Sequence, residues 1–538
     1  MDKLNGTTLL EMLESGNNNL NNHQSEINAL NVFPVPDGDT GTNMSLTSSN
    51  GIAEAVKSGS KSLPVVAKTF SRGLLMGARG NSGVILSQIF RGFSKEVQSL
   101  DELNVRDLSN AFLSGSKMAY KAVMRPVEGT ILTVVRESTE QADAYLNENP
   151  EATLVDYMDT LCAAAKVSLD HTPELLPVLK EARVVDSGGS GLLCVFEGFR
   201  AYLHGNPVRS EKEGGQKTSG TAVQESGYCV EFIVNLSERG SVQYNDDKVR
   251  SVLEKLGNEL TLIRDDNTVK VRINTRLPGD VLNQGQRYGE FEEVQVYGLS
   301  KPARPSIFEI RKEAPAVQEE KEYGIITVAA GDGLKKLFTD YRADVVVSGG
   351  QTMNPSTEDF VSAISALNAR HVFILPNNSN IIMAAKQAAE VSEGKDVIVI
   401  ETKSIPQGLS ACMAFNPEGD TETNLSAMSE AVASVRTGQV TYSIKDTVVE
   451  GREIHEGDFM GLLEKDIVLT DPDKVTATKK LLDQICDDET EIITLIKGED
   501  VTEEEFEEVQ AYIEETFEVD LDAEDGGQPV YSFIIGAE

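Results

Sequence analysis

Asn31-Val32-Phe33-Pro34-Val35-Pro36-Asp37-Gly38-Asp39-Thr40-Gly41-Thr42-Asn43 is the stretch around which this chain is organised. Its prolines and glycines mark a turn, and an apolar-periodic run begins directly behind it. Asp37 and Asp39 stand one residue apart. Carboxylates this close repel, and each resists ionising alone. A divalent cation removes the conflict. Hard oxygen ligands on a short loop suit Mg²⁺, which fills its octahedron with water and phosphate oxygens. A bare Asp-Gly-Asp reads more readily as a solvated turn ahead of a helix. The balance shifts because a second glycine-rich loop, Met76-Gly77-Ala78-Arg79-Gly80-Asn81-Ser82-Gly83, also opens an apolar run.

Working outward, residues 1–205 carry apolar side chains at helical spacing almost throughout. Leu9, Leu10, Met12 and Leu13 follow a candidate cap at Thr7; Val65, Val66, Phe70 and Leu74 form another run, and Ile85, Ile89, Phe90 and Phe93 the next. Strand-like alternation is nearly absent, so this part is predicted to be all-helical, with its functional residues in the inter-helix loops. The loop at 77–83 brings backbone amides to a helix N-terminus, where phosphate is favoured. It lacks the Gly-Lys-Ser/Thr of a P-loop and the preceding strand of a dinucleotide fingerprint. Taken alone, it reads equally as a close helix-packing turn. A third loop, Val185-Asp186-Ser187-Gly188-Gly189-Ser190-Gly191, again leads into a helix. Between them, Pro126 ends one helix and Thr130 can cap the next.

The chain has 538 residues and a formal net charge of −37. That length needs several domains. The acidic surface repels nucleic acid and anionic headgroups, so no nucleic-acid partner is expected. No apolar run reaches membrane-span length and Met1–Leu20 carries no signal-peptide core, so the expected location is cytoplasmic. The five cysteines are scattered without C-x-x-C pairs, as in a reducing compartment.

Residues 206–226 read as a polar linker. A small α/β module over 227–312 follows: a strand from Tyr228, a helix over Val249–Leu260, a hairpin over Leu262–Val271, and a further helix opened by Pro278. After a second linker at 313–322, residues 323–538 repeat strand–loop–helix units. Their loops, among them Ser348–Ser356 and Pro376–Asn380, gather at strand C-termini and form a default ligand crevice. The acidic stretch near Thr502–Ile513 keeps an amphipathic spacing and reads as a surface helix.

The Asn31–Asn43 string, the Gly77–Gly83 loop, the Arg125–Thr133 segment and the Asp186-Ser187-Gly188-Gly189 turn resemble the nucleotide-binding L-subunit domain of dihydroxyacetone kinases. More closely they resemble the ATP-binding subunit of bacterial fatty acid kinase. The resemblance implies an antiparallel helical barrel at the N-terminus, a small α/β middle domain, and a DegV-like α/β C-terminal domain that docks a partner. It implies ATP with a pair of Mg²⁺ ions. Asp37 and Asp39 would be metal ligands and catalytic residues. Asn31, which stands where the glycerone kinases carry a further Asp, would be a third metal ligand. Thr40, Thr42 and Asn43 would lie near the phosphates and Gly80, Asn81, Ser82 and Gly83 would cradle them. Thr130, Asp186 and Gly188 would line the nucleotide pocket. In the middle domain the family often carries a Cys-His-His metal site. Cys229 matches, but Arg272 and Asn274 replace the histidines, so no zinc is expected there.

The expected activity is ATP-dependent phosphorylation of a fatty acid carboxylate presented by a separate DegV-type fatty-acid-binding protein, giving an acyl phosphate. No general base stands out among the motifs, and a carboxylate acceptor with a pKa of ~4–5 needs none at neutral pH. Arg79 could stabilise the transferred charge or be a plain surface arginine. The alternatives are a non-catalytic nucleotide-sensing scaffold and one subunit of a small-polyol (glycerone) kinase. The middle module would serve homodimer formation or placement of its neighbours.

Overall fold

The structure, a computed structural model, describes residues 3–33, 38–211, 228–236, 246–253, 255–265, 268–298, 320–350, 354–443, 447–449 and 452–538. Asp37, both expected linkers over most of their length, and residues 351–353 lie outside these. The chain divides into two compact units, Met1–Gly215 with Glu320–Glu538, and Gln216–Glu319.

The N-terminal part is helical, as its apolar spacing predicts. Helices α1 (Gly6–Asn22), α3 (Thr40–Lys57), α4 (Leu63–Met76), α5 (Gly80–Glu96), α6 (Val105–Ala122), α7 (Ile131–Glu148), α8 (Leu154–Leu175) and α10 (Ser187–Leu203) are long; α2 (Gln24–Ala29) and α9 (Pro177–Ala182) are short. Long helices pack in sequence order from α3 to α8, α8 meets α10, and α10 and α3 both meet α1. The ring therefore closes into a barrel.

Side-chain caps set several of the helix starts. Asn5, not Thr7, caps α1, in a reciprocal box with Thr8; Asn104 with Asp107 and Thr153 with Asp156 do the same for α6 and α8. Thr7 sits inside the first turn, and its backbone N–H is one of the donors that Asn5 satisfies. The barrel interior is aromatic. Phe70, Phe90, Phe93, Phe112, Phe196 and Phe199 are buried in one cluster, with neighbouring ring centroids such as Phe70–Phe90 at 5.0 Å and Phe112–Phe196 at 5.4 Å. Each buried ring contributes about 1.5–3 kcal/mol. The seam between α1 and α10 is polar as well as apolar: Ser15 Oγ donates to the Gly198 carbonyl at 2.6 Å and Asn19 Nδ2 to the Cys194 carbonyl at 2.7 Å.

The middle unit is an antiparallel sheet of order β2-β3-β1-β4, built from β1 (Tyr228–Leu236), β2 (Gly257–Asp265), β3 (Thr268–Thr275) and β4 (Gly289–Gly298), with helices α11 (Asp246–Leu253) and α12 (Pro278–Gln286). The helix expected over 249–260 stops at Leu253. Residues from Gly257 are drawn into β2 by pairing with β3, a non-local gain that local periodicity cannot register. Cys229 is buried, opposite Asn274 on one side and Tyr297 on the other.

The C-terminal part opens with β5 (Lys321–Ala329), which begins inside the expected linker. It continues through α13 (Asp332–Asp340), β6 (Val345–Ser348), α14 (Thr357–Ala366), β7 (Ala369–Leu375), α15 (Ile382–Val391) and β8 (Asp396–Val399). These strands form a parallel sheet of order β6-β5-β7-β8, as the strand–loop–helix repeats predict. After α16 (Ile405–Ala414) and α17 (Thr421–Ser434), a second sheet of order β13-β12-β9-β16-β14-β15 follows, mostly antiparallel. It uses β9 (Arg436–Tyr442), β12 (Phe459–Leu463), β13 (Asp466–Asp471), β14 (Ile492–Gly498), β15 (Asp520–Gln528) and β16 (Tyr531–Ala537), with β10 (Thr447–Val449) and β11 (Arg452–Ile454) paired separately. Helix α18 (Lys474–Ile485) packs on this sheet, and the acidic α19 (Glu503–Thr516) is amphipathic as expected, burying Phe506, Val509 and Ile513.

Candidate functional site

The loops singled out in the sequence meet at one end of the barrel. Alternation of helix direction around the ring places the N-termini of α3, α5, α7 and α10 together. Ser187 Oγ, at the first position of α10, donates to Thr40 Oγ1, at the first position of α3, at 3.1 Å. A Cβ added to Gly80, the first residue of α5, would lie 2.5 Å from Asn43 Nδ2 in α3, and one on Gly188 would lie 3.2 Å from Ile131 at the start of α7. Each helix N-terminus carries partial positive charge, so their convergence makes a place for anionic oxygen.

Two of these helices are not capped by the residue that precedes them. Asp39 and Arg79 occupy the cap positions of α3 and α5, and neither side chain bonds to its own helix amides. An Asp at such a position ordinarily caps. Here Asp39 turns outward and its Oδ2 accepts from Asn354 Nδ2 at 2.5 Å. Arg79 Nη1 donates to the Asn354 carbonyl at 2.6 Å and lies 3.8 Å from Asp359. Arg79 is therefore a half-buried junction residue and not a plain surface arginine. Its backbone N–H donates to Thr47 Oγ1, which in turn donates to the Asn43 carbonyl at 2.6 Å. Gly83 sits against the same Thr47 hydroxyl.

The other two N-termini are closed by caps. Thr130 Oγ1 accepts from the Leu132 N–H in α7, and Asp186 accepts from Gly189 N at 2.6 Å in α10 and from the Ile131 backbone N–H. Asp186 is only 5% exposed. Burial pushes its pKa up to about 6, against the lowering effect of those two amides. A folded-state pKa above the unfolded one means the native protein binds more protons between about pH 4 and 6. Stability from this group is then greatest below that window and is lost as pH rises through it. Asp186→Asn should remove this slope. In urea titrations at pH 5 and pH 7, wild-type stability relative to Asp186→Asn is expected to fall by about 1 kcal/mol. An unchanged difference between the two pH values would contradict the assignment.

Other expected site residues have partners of their own or are at least partly buried. Thr42 Oγ1 accepts from Gln24 Nε2 at 2.9 Å and Asn28 Nδ2 at 3.0 Å, and so anchors α2 to α3. Asn81 Nδ2 donates to Asn380 Oδ1 at 3.2 Å. Asn31 is buried and Ser82 is half-buried in the first turn of α5.

The fit to Mg²⁺ rests on the described donors: the Asp39 carboxylate, the Thr40 hydroxyl and the Asn31 amide. Among the described residues no group of three or more His, Cys, Asp or Glu could hold a metal ion. Mg²⁺ commonly takes one or two carboxylates and leaves the remainder to water and phosphate, so a sparse hard-oxygen set suits it. Among the described residues, no helix is long and apolar enough to cross a membrane.

Residues 34–201 match the DAK2 domain, 225–304 the middle domain of FakA-like fatty acid kinase proteins, and 324–538 their C-terminal domain. Protein YloV of Bacillus subtilis is 44% identical over 554 aligned positions, covering 99% of each chain. This chain belongs to the FakA-like fatty acid kinase family. An uncharacterized Staphylococcus epidermidis protein, SERP0792, is 41% identical over 100% of both chains. A fatty-acid-binding DegV family protein from Thermus thermophilus aligns with 40% of this chain and 100% of its own at 15% identity, with a TM-score of 0.31.

Sequence reasoning did not bring the C-terminal domain to this end of the barrel, where Asn354 bonds to Asp39 and Arg79 and Asn380 bonds to Asn81; Gln387 joins the same two domains away from Asp39. Gln387 Nε2 donates to the Leu75 carbonyl at 2.8 Å and its Oε1 accepts from Gln88 at 3.1 Å. The loops after β6 and β7 that carry Asn354 and Asn380 also line the expected crevice, a cavity of about 260 Å³. Gly349, Gly350, Asn378, Val530, Tyr531 and Ile534 are among the residues that line it. The sequence placed Asn354 and Asn380 in crevice loops, where Asn is ordinary, and nothing local marked them as neighbours of the barrel.

Proposed function

We propose that this chain is an ATP-dependent kinase subunit that transfers phosphate to a fatty acid carboxylate presented by a separate DegV-type fatty-acid-binding protein, giving an acyl phosphate. The observation that carries this reading is the gathering of four helix N-termini at the barrel end that carries Asp39, with the side chains of Asp39 and Arg79 not used as caps of their own helices. The family's order of domains supports it, and the partner class is inferred from that family.

Asp37 and Asp39, with Asn31, would hold Mg²⁺. Mg²⁺, when bound there, would neutralise phosphate charge on ATP. The amides opening α5 at Gly80–Gly83 and α3 at Thr40 orient phosphate oxygens, and Arg79 lies where charge on the transferring group can be offset. Phosphoryl transfer depends chiefly on such positioning and fixed charge. The acceptor carboxylate is already ionised, so no residue needs to take a proton. Asp186 and Thr130 hold the starts of α10 and α7 in place.

The test is turnover by the purified chain with Mg-ATP and either a fatty-acid-loaded DegV-type protein or glycerone. ADP release and hydroxylamine-trapped acyl phosphate with the loaded protein are expected, with neither from glycerone. Turnover on glycerone alone would favour the polyol kinase.

A further inference from the structure

We propose that Asn354, carried by the C-terminal domain, is a positioning residue of the phosphoryl-transfer site in the helical barrel, holding the Asp39 carboxylate for the Mg²⁺–nucleotide complex. This rests on the reading of Asp39 as a cofactor-site carboxylate.

Asn354 is 2% exposed and belongs to a different domain from the residues it touches. Its Nδ2 donates to Asp39 Oδ2 at 2.5 Å, and its backbone carbonyl accepts from Arg79 Nη1 at 2.6 Å. It therefore ties together the two side chains that the caps of α3 and α5 leave unspent. A hydrogen bond to a carboxylate is charge-assisted and about twice as strong as a neutral one. Fixing one oxygen of Asp39 sets the rotamer of the carboxylate and so the direction of the other. Partners of this kind, one step removed from a metal, are typically worth about 10–100-fold in metal affinity.

The other end of the amide points the same way. Asn354 Oδ1 is buried and makes no hydrogen bond. An acceptor left so keeps the full cost of its desolvation. A residue serving only to join the domains would not keep that cost. The join already has other means: α14 and α15 pack their apolar faces near Ala78 and Val84, Gln387 bonds across to Leu75 and Gln88, and Thr357 N–H donates to the Ala78 carbonyl at 3.2 Å. Water on a cation is a strong hydrogen-bond donor, so an unspent acceptor beside Asp39 has the polarity that a hydrated Mg²⁺ complex matches.

The experiment is calorimetric titration of the full chain with ADP, with Mg²⁺ and again with EDTA, for wild type, Asn354→Ala, Gln387→Ala and Asp39→Asn. Asn354→Ala is expected to weaken Mg-ADP binding about 10–100-fold while leaving Mg-free ADP binding unchanged. Gln387→Ala, which loosens the same interface away from Asp39, should leave both unchanged. Should Asn354→Ala fail to fold, Asn354→Ser, too short to reach Asp39, should give the same loss. Mg-ADP affinity within twofold of wild type in the position-354 variant, or an equal loss in Gln387→Ala, would overturn the proposal. Asp39→Asn tests the underlying reading separately: it should lose the Mg²⁺ dependence. If it binds Mg-ADP as wild type does, that reading fails whatever Asn354→Ala does.

Discussion

Asp39→Asn is expected to lower ATP-dependent phosphoryl transfer by on the order of 10³-fold, comparable to removal of other groups that offset charge on transferring phosphate. The substitution is nearly isosteric. The side chain does not cap α3, so the helix loses no cap bond. An amide oxygen at position 39 can still accept from Asn354, which now donates to Asp39 Oδ2 at 2.5 Å. What disappears is the negative charge. A large fall in turnover with an unchanged melting temperature therefore isolates the charge as the working feature. Single-turnover kinetics with saturating Mg-ATP are the measurement. A rate within about threefold of wild type would remove Asp39 from the mechanism, since a Mg²⁺ site loses much of its affinity when one of few carboxylates becomes neutral.

Gly80→Ala should have the second-largest effect, and for two separable reasons. Gly80 has φ of +58°, in the left-handed region, where an L-residue costs about 1–2 kcal/mol. Its Cβ would also stand 2.5 Å from Asn43 Nδ2, with Asn354 Nδ2 at 3.6 Å. Asn43 must swing away, and the junction of α3 with α5 opens at the expected phosphate cradle. The expected result is about 2–4 kcal/mol of lost stability, from left-handed strain plus overpacking, with nucleotide affinity reduced about tenfold or more. Gly59→Ala is the control. Gly59 has φ of +60° but nothing within 4 Å of its added Cβ. It should lose only the backbone cost and keep wild-type nucleotide binding. Equal behaviour of the two variants would show that crowding at Asn43 does not matter.

The starts of α7 and α10 were legible because Thr130 and Asp186 act on amides within three residues of themselves. The parallel sheet was legible because its strands are apolar runs broken by polar loops at regular intervals. The end of α11 was not, since the residues after Leu253 read equally as helix until pairing with β3 decides them. The partners of Thr42 were not legible either: Gln24 and Asn28 of α2 donate to its hydroxyl, a contact between helices that local spacing does not encode.

The sequence by itself determined the elements, the helical and α/β character of the parts, and which loops carry oxygen donors and glycines, because these follow from spacing and from chemistry within a few residues. Only the tertiary structure decided that four helix N-termini share one end of the barrel, and that Asn354 reaches Asp39 across 315 positions of chain. Closure of a ring and docking of a distant loop are set by burial and hydrogen bonding between segments far apart, and no local pattern encodes which segments those are.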